Sequence, residues 1–86
     1  MPALLVVHDV DNVEHWLKSP KRQELMGPRG FVVRTFVDPN DSNRVGLVVE
    51  GATYEDFQEL LRSNEAPEAM KYDGVRADTL QVLEER

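Results

Sequence analysis

The second half of this chain repeats the first, and this repeat limits the folds that the sequence can adopt. Residues of the first half recur 44 residues later as the same or a similar residue. The first set is Val13, Trp16, Leu17, Ser19, Glu24, Met26 and Gly30, and the second is Phe57, Leu60, Leu61, Ser63, Glu68, Met70 and Gly74. An all-apolar strand pattern precedes each set. The repeat predicts two strand, helix and strand units, which together make a βαββαβ fold of the α+β class.

The first unit begins with a strand from about Ala3 to Asp9. Asp11 is expected to accept an amide hydrogen bond as the N-cap of the first helix. Ser19 and Pro20 interrupt that helix, because the residue before a proline is disfavoured in the α region. A short second helical segment is predicted to end near Met26, and the second strand covers Phe31 to Val37.

The second unit follows a turn-rich hairpin loop over residues 38–43. Its strand is predicted over Arg44 to Glu50, and Thr53 to Asp56 resembles a capping box that starts the next helix. Ser63 and Asn64 interrupt this helix, as in the first unit. Asp73 and Gly74 close the second helical segment, with a glycine that can take a positive φ. The last strand is predicted over Thr79 to Leu83.

The apolar residues of both helices recur at helical spacing and predict which face is buried. In the first helix the stripe is Val13, Trp16 and Leu17, and in the second it is Tyr54, Phe57, Leu60 and Leu61. Both stripes are expected to pack on the sheet.

Composition excludes several classes of protein. The chain has 86 residues, which predicts a single domain over residues 1–86, and it has no cysteine that could supply a disulfide, a thiolate zinc site or thiol chemistry. A net charge of -6 opposes attraction to nucleic acid or to an anionic membrane. The opening residues lack the basic start of a signal peptide, and the apolar runs are far shorter than the roughly 20 residues of a membrane span. We therefore expect a cytoplasmic protein.

Strands one and three are apolar on both sides of the pleat, at residues 4–7 and 47–49. Right-handed crossovers place both helices on the same side of the sheet, so the other side is uncovered in a monomer. Burial of several hundred Å² of apolar surface at about 25 cal/mol per Å² contributes on the order of 10 kcal/mol. The pattern predicts a homodimer in which two sheets pack face to face.

Several motifs together resemble the antibiotic-biosynthesis-monooxygenase-like proteins of the dimeric α/β-barrel superfamily. The resemblance covers nearly the whole chain, and its motifs are His8, Val10 and Trp16, the glycine-terminated helix, the runs 31–34 and 38–40, and the stretch Ser63 to Val75. It implies a ferredoxin-like protomer with a four-stranded antiparallel sheet. It also implies a dimer that joins two sheets into a barrel, and a small-molecule cleft between sheet and helices.

The resemblance also implies a range of possible activities. Members of this superfamily include cofactor-independent oxygenases of aromatic compounds, haem degraders, isomerases and accessory proteins. The oxygenases and haem degraders commonly have an asparagine on the first strand, where this chain has Val6, Val7 and His8. Haem degraders also use a histidine from the second helical region, and none occurs between Thr53 and Gly74. We therefore expect neither haem nor another cofactor.

His8 is the candidate catalytic residue. It shares the parity of Leu4 and Val6, and an imidazole with a pKa near neutrality can act as a general base. Trp16 is a candidate wall of a pocket for an aromatic ligand. Both have a structural alternative, since His8 can bind Asp9, Asp11 or backbone, and a tryptophan commonly fills a core.

The remaining candidates for binding a substrate are Arg34, Tyr54, Phe57 and Tyr72. Arg34 could hold a carboxylate or phenolate, or it could instead pair with Glu50 across the sheet or lie at the dimer edge. Tyr54 and Phe57 belong to the helix stripe, which lines one wall of the cleft in this fold, and the Tyr72 hydroxyl could close the pocket. His8 and His15 do not have the spacing of a metal-binding motif, so no metal is expected.

Three functions are compatible with these residues. One is a cofactor-independent monooxygenase or isomerase that acts on a small aromatic or polyketide-like compound, with His8 as base. Another is a non-catalytic dimer that binds a small hydrophobic ligand or serves as an accessory subunit. The third is a structural module, since every apolar stripe also has a packing explanation. Fold analogy alone does not choose among them.

Overall fold

A computed structural model describes residues 2–86 of the chain. In chain order the elements are β1 (Ala3–Val10), α1 (Val13–Lys18), α2 (Lys21–Met26), a 3-10 turn (Gly27–Arg29), β2 (Val32–Val37), β3 (Arg44–Glu50), α3 (Tyr54–Arg62), α4 (Glu65–Asp73) and β4 (Val75–Glu84). Each half therefore has one strand, two helices and a second strand, as the repeat predicts.

The strands form one four-stranded antiparallel sheet in the order β2-β3-β1-β4. The two all-apolar strands, β1 and β3, lie at its centre, where Leu5 pairs with Val48 and His8 pairs with Val45. This order and the two intervening helical segments are those of a ferredoxin-like α+β fold, so the predicted fold class is confirmed.

The repeated serines explain why both helical segments break. The Ser63 hydroxyl donates to the Leu60 carbonyl at 2.7 Å and accepts from the Ala66 amide at 3.3 Å. Ser19 makes one hydrogen bond of this kind, since its hydroxyl accepts from the Lys21 amide at 3.2 Å. Each serine thus supplies hydrogen bonds that a continuous helix would have made through its backbone.

The helix starts partly follow the sequence prediction. The capping box of α3 is present, with Thr53 and Asp56 each accepting a hydrogen bond from the other's backbone amide. The N-cap of α1 is Asn12, which accepts from the His15 amide at 2.9 Å. The expectation of an Asp11 cap was wrong, because the Asp11 carboxylate accepts from Arg76 at 2.9 Å instead.

The core lies between the sheet and the helices. Alternate residues of β1 point into it, and Leu4, Val6, His8 and Val10 are all at most 2% exposed. The helix stripes are buried only in part, since Leu17 and Tyr54 are 44% and 42% exposed. Their predicted burial was wrong, because both residues lie at the ends of short helices, and the periodic pattern does not say how far the sheet covers each end.

β4 begins at Val75, four residues before the predicted start at Thr79. Its first residues pair with the end of β1, and the register then shifts between Val7 and Asp9 of β1. At this bulge the Asp9 amide donates to the Thr79 hydroxyl at 2.8 Å rather than to a strand carbonyl. The Thr79 side chain thus replaces a missing backbone hydrogen bond between β1 and β4. The sequence pattern predicted only the part of β4 that follows this bulge.

The opposite side of the sheet carries no helix. We call it the open face, and its partly exposed apolar residues are Leu5, Val32, Phe36 and Leu83. Their side chains alternate with the buried ones along the strands, in agreement with the prediction that the central strands are apolar on both sides.

Candidate functional site

A cavity of about 60 Å³ lies between the sheet and the four helices. Its walls are almost wholly apolar, and they include Val6, Leu47, Phe57, Leu60, Met26 and Met70. Three polar side chains interrupt this lining, namely those of His8, Arg22 and Asp73. Because polar groups are costly to bury in such surroundings, these three define the candidate site.

His8 reaches the cavity because of its place on β1. It lies at the bulge between β1 and β4, and bulges commonly redirect a side chain next to functional sites. The side chain is buried, with 2% of the residue exposed. Nδ1 donates to the Asp9 carbonyl at 3.3 Å, which leaves the lone pair of the ring on Nε2.

Burial lowers the pKa of His8 below its ordinary value of 6.5. The Asp9 hydrogen bond raises the pKa, and the positive charge of Arg22 lowers it further. The net shift is downward because desolvation is the largest effect. His8 is therefore a neutral imidazole at pH 7, the form that can accept a proton.

Trp16 joins two of the polar groups. Its indole, on α1, is 1% exposed and meets the His8 ring edge to face at a centroid distance of 5.7 Å. The guanidinium carbon of Arg22, on α2, lies 4.1 Å from the indole centroid. This is a cation-π contact, so Trp16 touches both His8 and Arg22 at the cavity wall.

Arg22 and Asp73 form an ion pair between α2 and the end of α4. Arg22 Nη1 lies 3.5 Å from Asp73 Oδ2, and the two side chains are 13% and 4% exposed. Burial lowers the pKa of Arg22, and the negative charge of Asp73 opposes that effect. Asp73 Oδ1 is buried and has no hydrogen-bond partner among residues 2–86.

The structure brings only some of the predicted site residues together. His8, Trp16 and Phe57 line the cavity. Arg34 lies on the open face, where it pairs with Glu50 at 3.1 Å. The cavity lining therefore has His8 without the arginine that the sequence suggested, and Arg22 takes that place.

The two predicted tyrosines lie outside the cavity lining. Tyr54 is exposed at the first turn of α3. Tyr72 is half exposed and contacts the His15 ring at a centroid distance of 5.1 Å, with the rings tilted, while its carbonyl accepts from His15 Nε2 at 2.8 Å. The Tyr72 ring also faces the Lys21 ammonium at 5.2 Å, and so it belongs to the outer surface of α2 and α4.

Sequence reasoning missed Arg22 and Asp73. A signal was present in the repeat, since at the same offset Arg22 corresponds to the buried Ala66 and Asp73 corresponds to Arg29. Both polar residues thus occur where the two halves differ in charge. A polar residue that replaces a small apolar one in an otherwise matched helix is a reason to inspect that position.

The described residues show neither a metal cluster nor a membrane helix. Within residues 2–86 no group of at least three histidine, cysteine, aspartate or glutamate side chains could hold a metal ion. No helix in the same range is long and apolar enough to cross a membrane.

Sequence comparison finds no matching family model and no matching curated protein. Solved structures do match. A protein from Bordetella bronchiseptica described as an antibiotic biosynthesis monooxygenase has a TM-score of 0.72 at 19% identity, over 99% of this chain and 94% of its own. One of the same description from Nitrosomonas europaea has a TM-score of 0.66 at 12% identity, over 100% and 97%.

A third match limits what this likeness means. The de novo designed protein Ferredog-Diesel has a TM-score of 0.52 at 17% identity, over 96% of this chain and 84% of its own. The fold that the resemblance implied is thus confirmed, and the chain shares it with proteins described as antibiotic biosynthesis monooxygenases. Because a designed chain also has this fold, activity has to be argued from the site.

Proposed function

We propose that the protein is a cofactor-independent monooxygenase or isomerase that acts on a small aromatic or polyketide-like compound in the cavity. The observation that carries this proposal is the neutral, buried imidazole of His8, which shares the Trp16 ring with the Arg22 guanidinium. Perturbed titratable groups that converge on an apolar cavity are typical of catalytic sites.

The chemistry starts with proton transfer. His8 Nε2 takes a proton from a carbon next to a substrate carbonyl, and the electron pair moves onto the carbonyl oxygen. A low pKa makes His8 a weak base, so the reaction needs stabilisation of the oxyanion, and Arg22 is the nearby cation. An isomerase returns the proton to a different atom. An oxygenase adds dioxygen to the carbanion, and the peroxide takes up the proton from His8. Where that carbon carries a second hydrogen, the hydroperoxide loses water and leaves a new carbonyl, so the substrate itself supplies the electrons.

The size of the cavity sets a condition on the ligand. A cavity of about 150 Å³ holds benzene, and this one has about 60 Å³. An aromatic ring enters only if the lining moves. Met26 and Met70 are in that lining, and methionine is the apolar side chain that repacks most easily. The ligand is therefore a small one, and its binding rearranges these two side chains.

A ligand screen followed by one substitution tests the proposal. Small phenols and enolisable ketones are screened by thermal shift and by fluorescence of Trp16, which is the only tryptophan of the chain. Any hit is then tested for turnover with dioxygen present and absent. The His8→Gln variant is expected to lose about 100-fold or more in kcat and to keep its affinity for the ligand. His15→Gln, at an exposed position, serves as the control.

The alternative is a non-catalytic dimer that binds a small hydrophobic ligand or serves as an accessory subunit. The small volume of the cavity favours it, because a second reactant such as dioxygen needs room beside the ligand. Binding of a hit without turnover by the wild-type protein would support this alternative. Turnover that survives His8→Gln unchanged would remove His8 from the catalytic role.

The proposal includes a cytoplasmic homodimer joined through the open face. Leu5, Val32, Phe36 and Leu83 are between 39% and 56% exposed there, which is the kind of apolar patch that commonly marks an interface. Sedimentation at micromolar concentration is expected to give a dimer, and Phe36→Glu is expected to give a folded monomer. A stable wild-type monomer would contradict this part of the proposal.

A further inference from the structure

We infer that Asp73 is the group that anchors the ligand in the cavity, and that the ligand carries a hydroxyl group, as a phenol or an enol does. The hydroxyl donates its hydrogen to Asp73 Oδ1, while the apolar remainder of the molecule packs against Trp16 and Phe57. This inference rests on the proposed function, in that it takes the cavity to be a ligand site. It adds the class of ligand and a binding residue.

The first support is the unpartnered oxygen. The Asp73 side chain is 4% exposed, lines the cavity, and has no partner for Oδ1 among residues 2–86. Buried polar atoms in native proteins nearly always have a partner, and an unsatisfied charged group costs more than a neutral one. A donor from a ligand would satisfy this oxygen.

The position of Asp73 on α4 adds to this cost. It is the last residue of the helix, where the unpaired carbonyls give the helix end a partial negative charge. A carboxylate is unfavourable at that end. Helix capping thus gives no reason for an aspartate at this position, and the ion pair with Arg22 uses only one of its two oxygens.

Arg22 satisfies Asp73 only in part. Charge-assisted hydrogen bonds between a guanidinium and a carboxylate are about 2.7 to 2.9 Å long and often bidentate. Here one contact of 3.5 Å reaches Oδ2 alone. Arg22 also contacts Trp16, with its guanidinium carbon 4.1 Å from the indole centroid. The geometry leaves Oδ1 for another donor.

The charges of the cavity select a neutral ligand. Arg22 and Asp73 cancel each other, and His8 is neutral at pH 7. A carboxylate ligand would be attracted by Arg22 but repelled by Asp73 beside it. A neutral hydroxyl compound donates to Asp73, and its oxygen can accept from Arg22. We therefore assign phenols and enols, rather than carboxylic acids, as the ligand class.

Matched probes test this assignment. Phenol and toluene have nearly the same shape and differ in the hydroxyl group, and benzoate supplies the anion. Dissociation constants are measured by quenching of Trp16, excited where phenol does not absorb, and are checked by thermal shift. The wild-type protein is expected to bind phenol more tightly than benzoate.

The deciding variant is the double substitution Arg22→Met and Asp73→Leu. Replacing both partners of a buried pair by apolar residues generally keeps the protein folded, whereas removing one partner does not always do so. The preference for phenol over toluene is expected to fall by about 10- to 100-fold in this variant. Glu50→Gln, which removes a carboxylate from the exposed pair, is expected to leave the preference unchanged.

The outcomes separate the two proposals. Lack of any response to the three probes would overturn the cavity as a ligand site, and with it the proposed function. Binding with a preference for phenol that the double variant retains would overturn the role of Asp73 alone. Tighter binding of benzoate than of phenol would also overturn it, since Arg22 would then be the anchor.

Discussion

One arginine-carboxylate pair on each side of the sheet can be compared, and the pair with the longer distance is the more buried one. Arg34 and Glu50 lie 3.1 Å apart on the open face, with side chains 59% and 43% exposed. Arg22 and Asp73 lie 3.5 Å apart at the cavity, with side chains 13% and 4% exposed. The surroundings, more than the distance, determine what such a pair does, because water screens the exposed charges and not the buried ones.

The same contrast applies to the two faces as a whole. The helix-covered face concentrates its few polar groups around Trp16, whereas the open face is an apolar patch whose ion pairs, such as Arg34 with Glu50, are partly exposed. A chain that needed only a core and a dimer surface would have no use for a buried carboxylate with a free oxygen. This difference between the faces is our reason for proposing that the covered one holds the ligand site.

Trp16 is buried and contacts Arg22 of the buried pair, so its removal is expected to have the largest effect on the free energy of unfolding. Trp16→Ala leaves a large void and takes away the ring under Arg22, and truncation of a buried tryptophan costs about 3 to 5 kcal/mol. In a domain of this size that is a large part of the free energy of unfolding. Urea denaturation measures it. The neighbouring Leu17→Ala, at a position 44% exposed, is expected to cost under about 1 kcal/mol, and equal costs would contradict the burial difference.

Asp73→Ala sharpens the comparison between the two pairs. It leaves the Arg22 charge buried without a partner, and we expect a loss of about 2 to 3 kcal/mol in the free energy of unfolding. The same truncation combined with Arg22→Met is expected to recover part of that loss, since no unpaired charge remains. A single variant as stable as the wild type would show that the buried pair is screened like a surface pair.

The pH dependence of stability tests the surroundings of His8. Its pKa is below 6.5 in the folded protein because of burial, so below that pH the unfolded chain binds a proton that the native state resists. Stability is expected to fall on acidification from pH 6.5, with a slope of up to about 1.4 kcal/mol per pH unit for this group. His8→Gln removes this contribution, and urea denaturation at a series of pH values measures the difference. Identical pH profiles for the two proteins would contradict it.

The repeat made most of the fold predictable. Strand positions, the two helix breaks and the central place of β1 and β3 all follow from local patterns, namely alternation, helical spacing and the serine before each break. The first residues of β4 were missed because their pairing with the end of β1 depends on a bulge rather than on a sequence pattern. Burial at Leu17 and Tyr54 was overestimated, since periodicity gives a helix face and not where its contact with the sheet ends.

The candidate site was less predictable than the fold. His8 and Trp16 were identified from strand parity and the resembled motif, and both line the cavity. Arg22 and Asp73 lie 51 residues apart and meet only because α2 packs on α4, a tertiary contact that no local pattern encodes. Arg34 makes the pair with Glu50 that the sequence offered as its alternative to ligand binding, since one residue of register decides which face a strand residue occupies.

Glu50→Ala is expected to have the smallest effect on the free energy of unfolding. The variant also tests dimerisation, because Glu50 lies on the open face. In the protomer the pair with Arg34 is exposed, so its loss costs about 0.5 kcal/mol or less, and 1 M salt removes even that. If a second copy covers the open face, as proposed, the pair is desolvated in the dimer and the cost of the substitution rises with protein concentration. Urea denaturation at two protein concentrations, with and without salt, separates these contributions. A cost as large as that of Asp73→Ala at the lower concentration would contradict the claim that surroundings rather than distance set the strength of the two pairs.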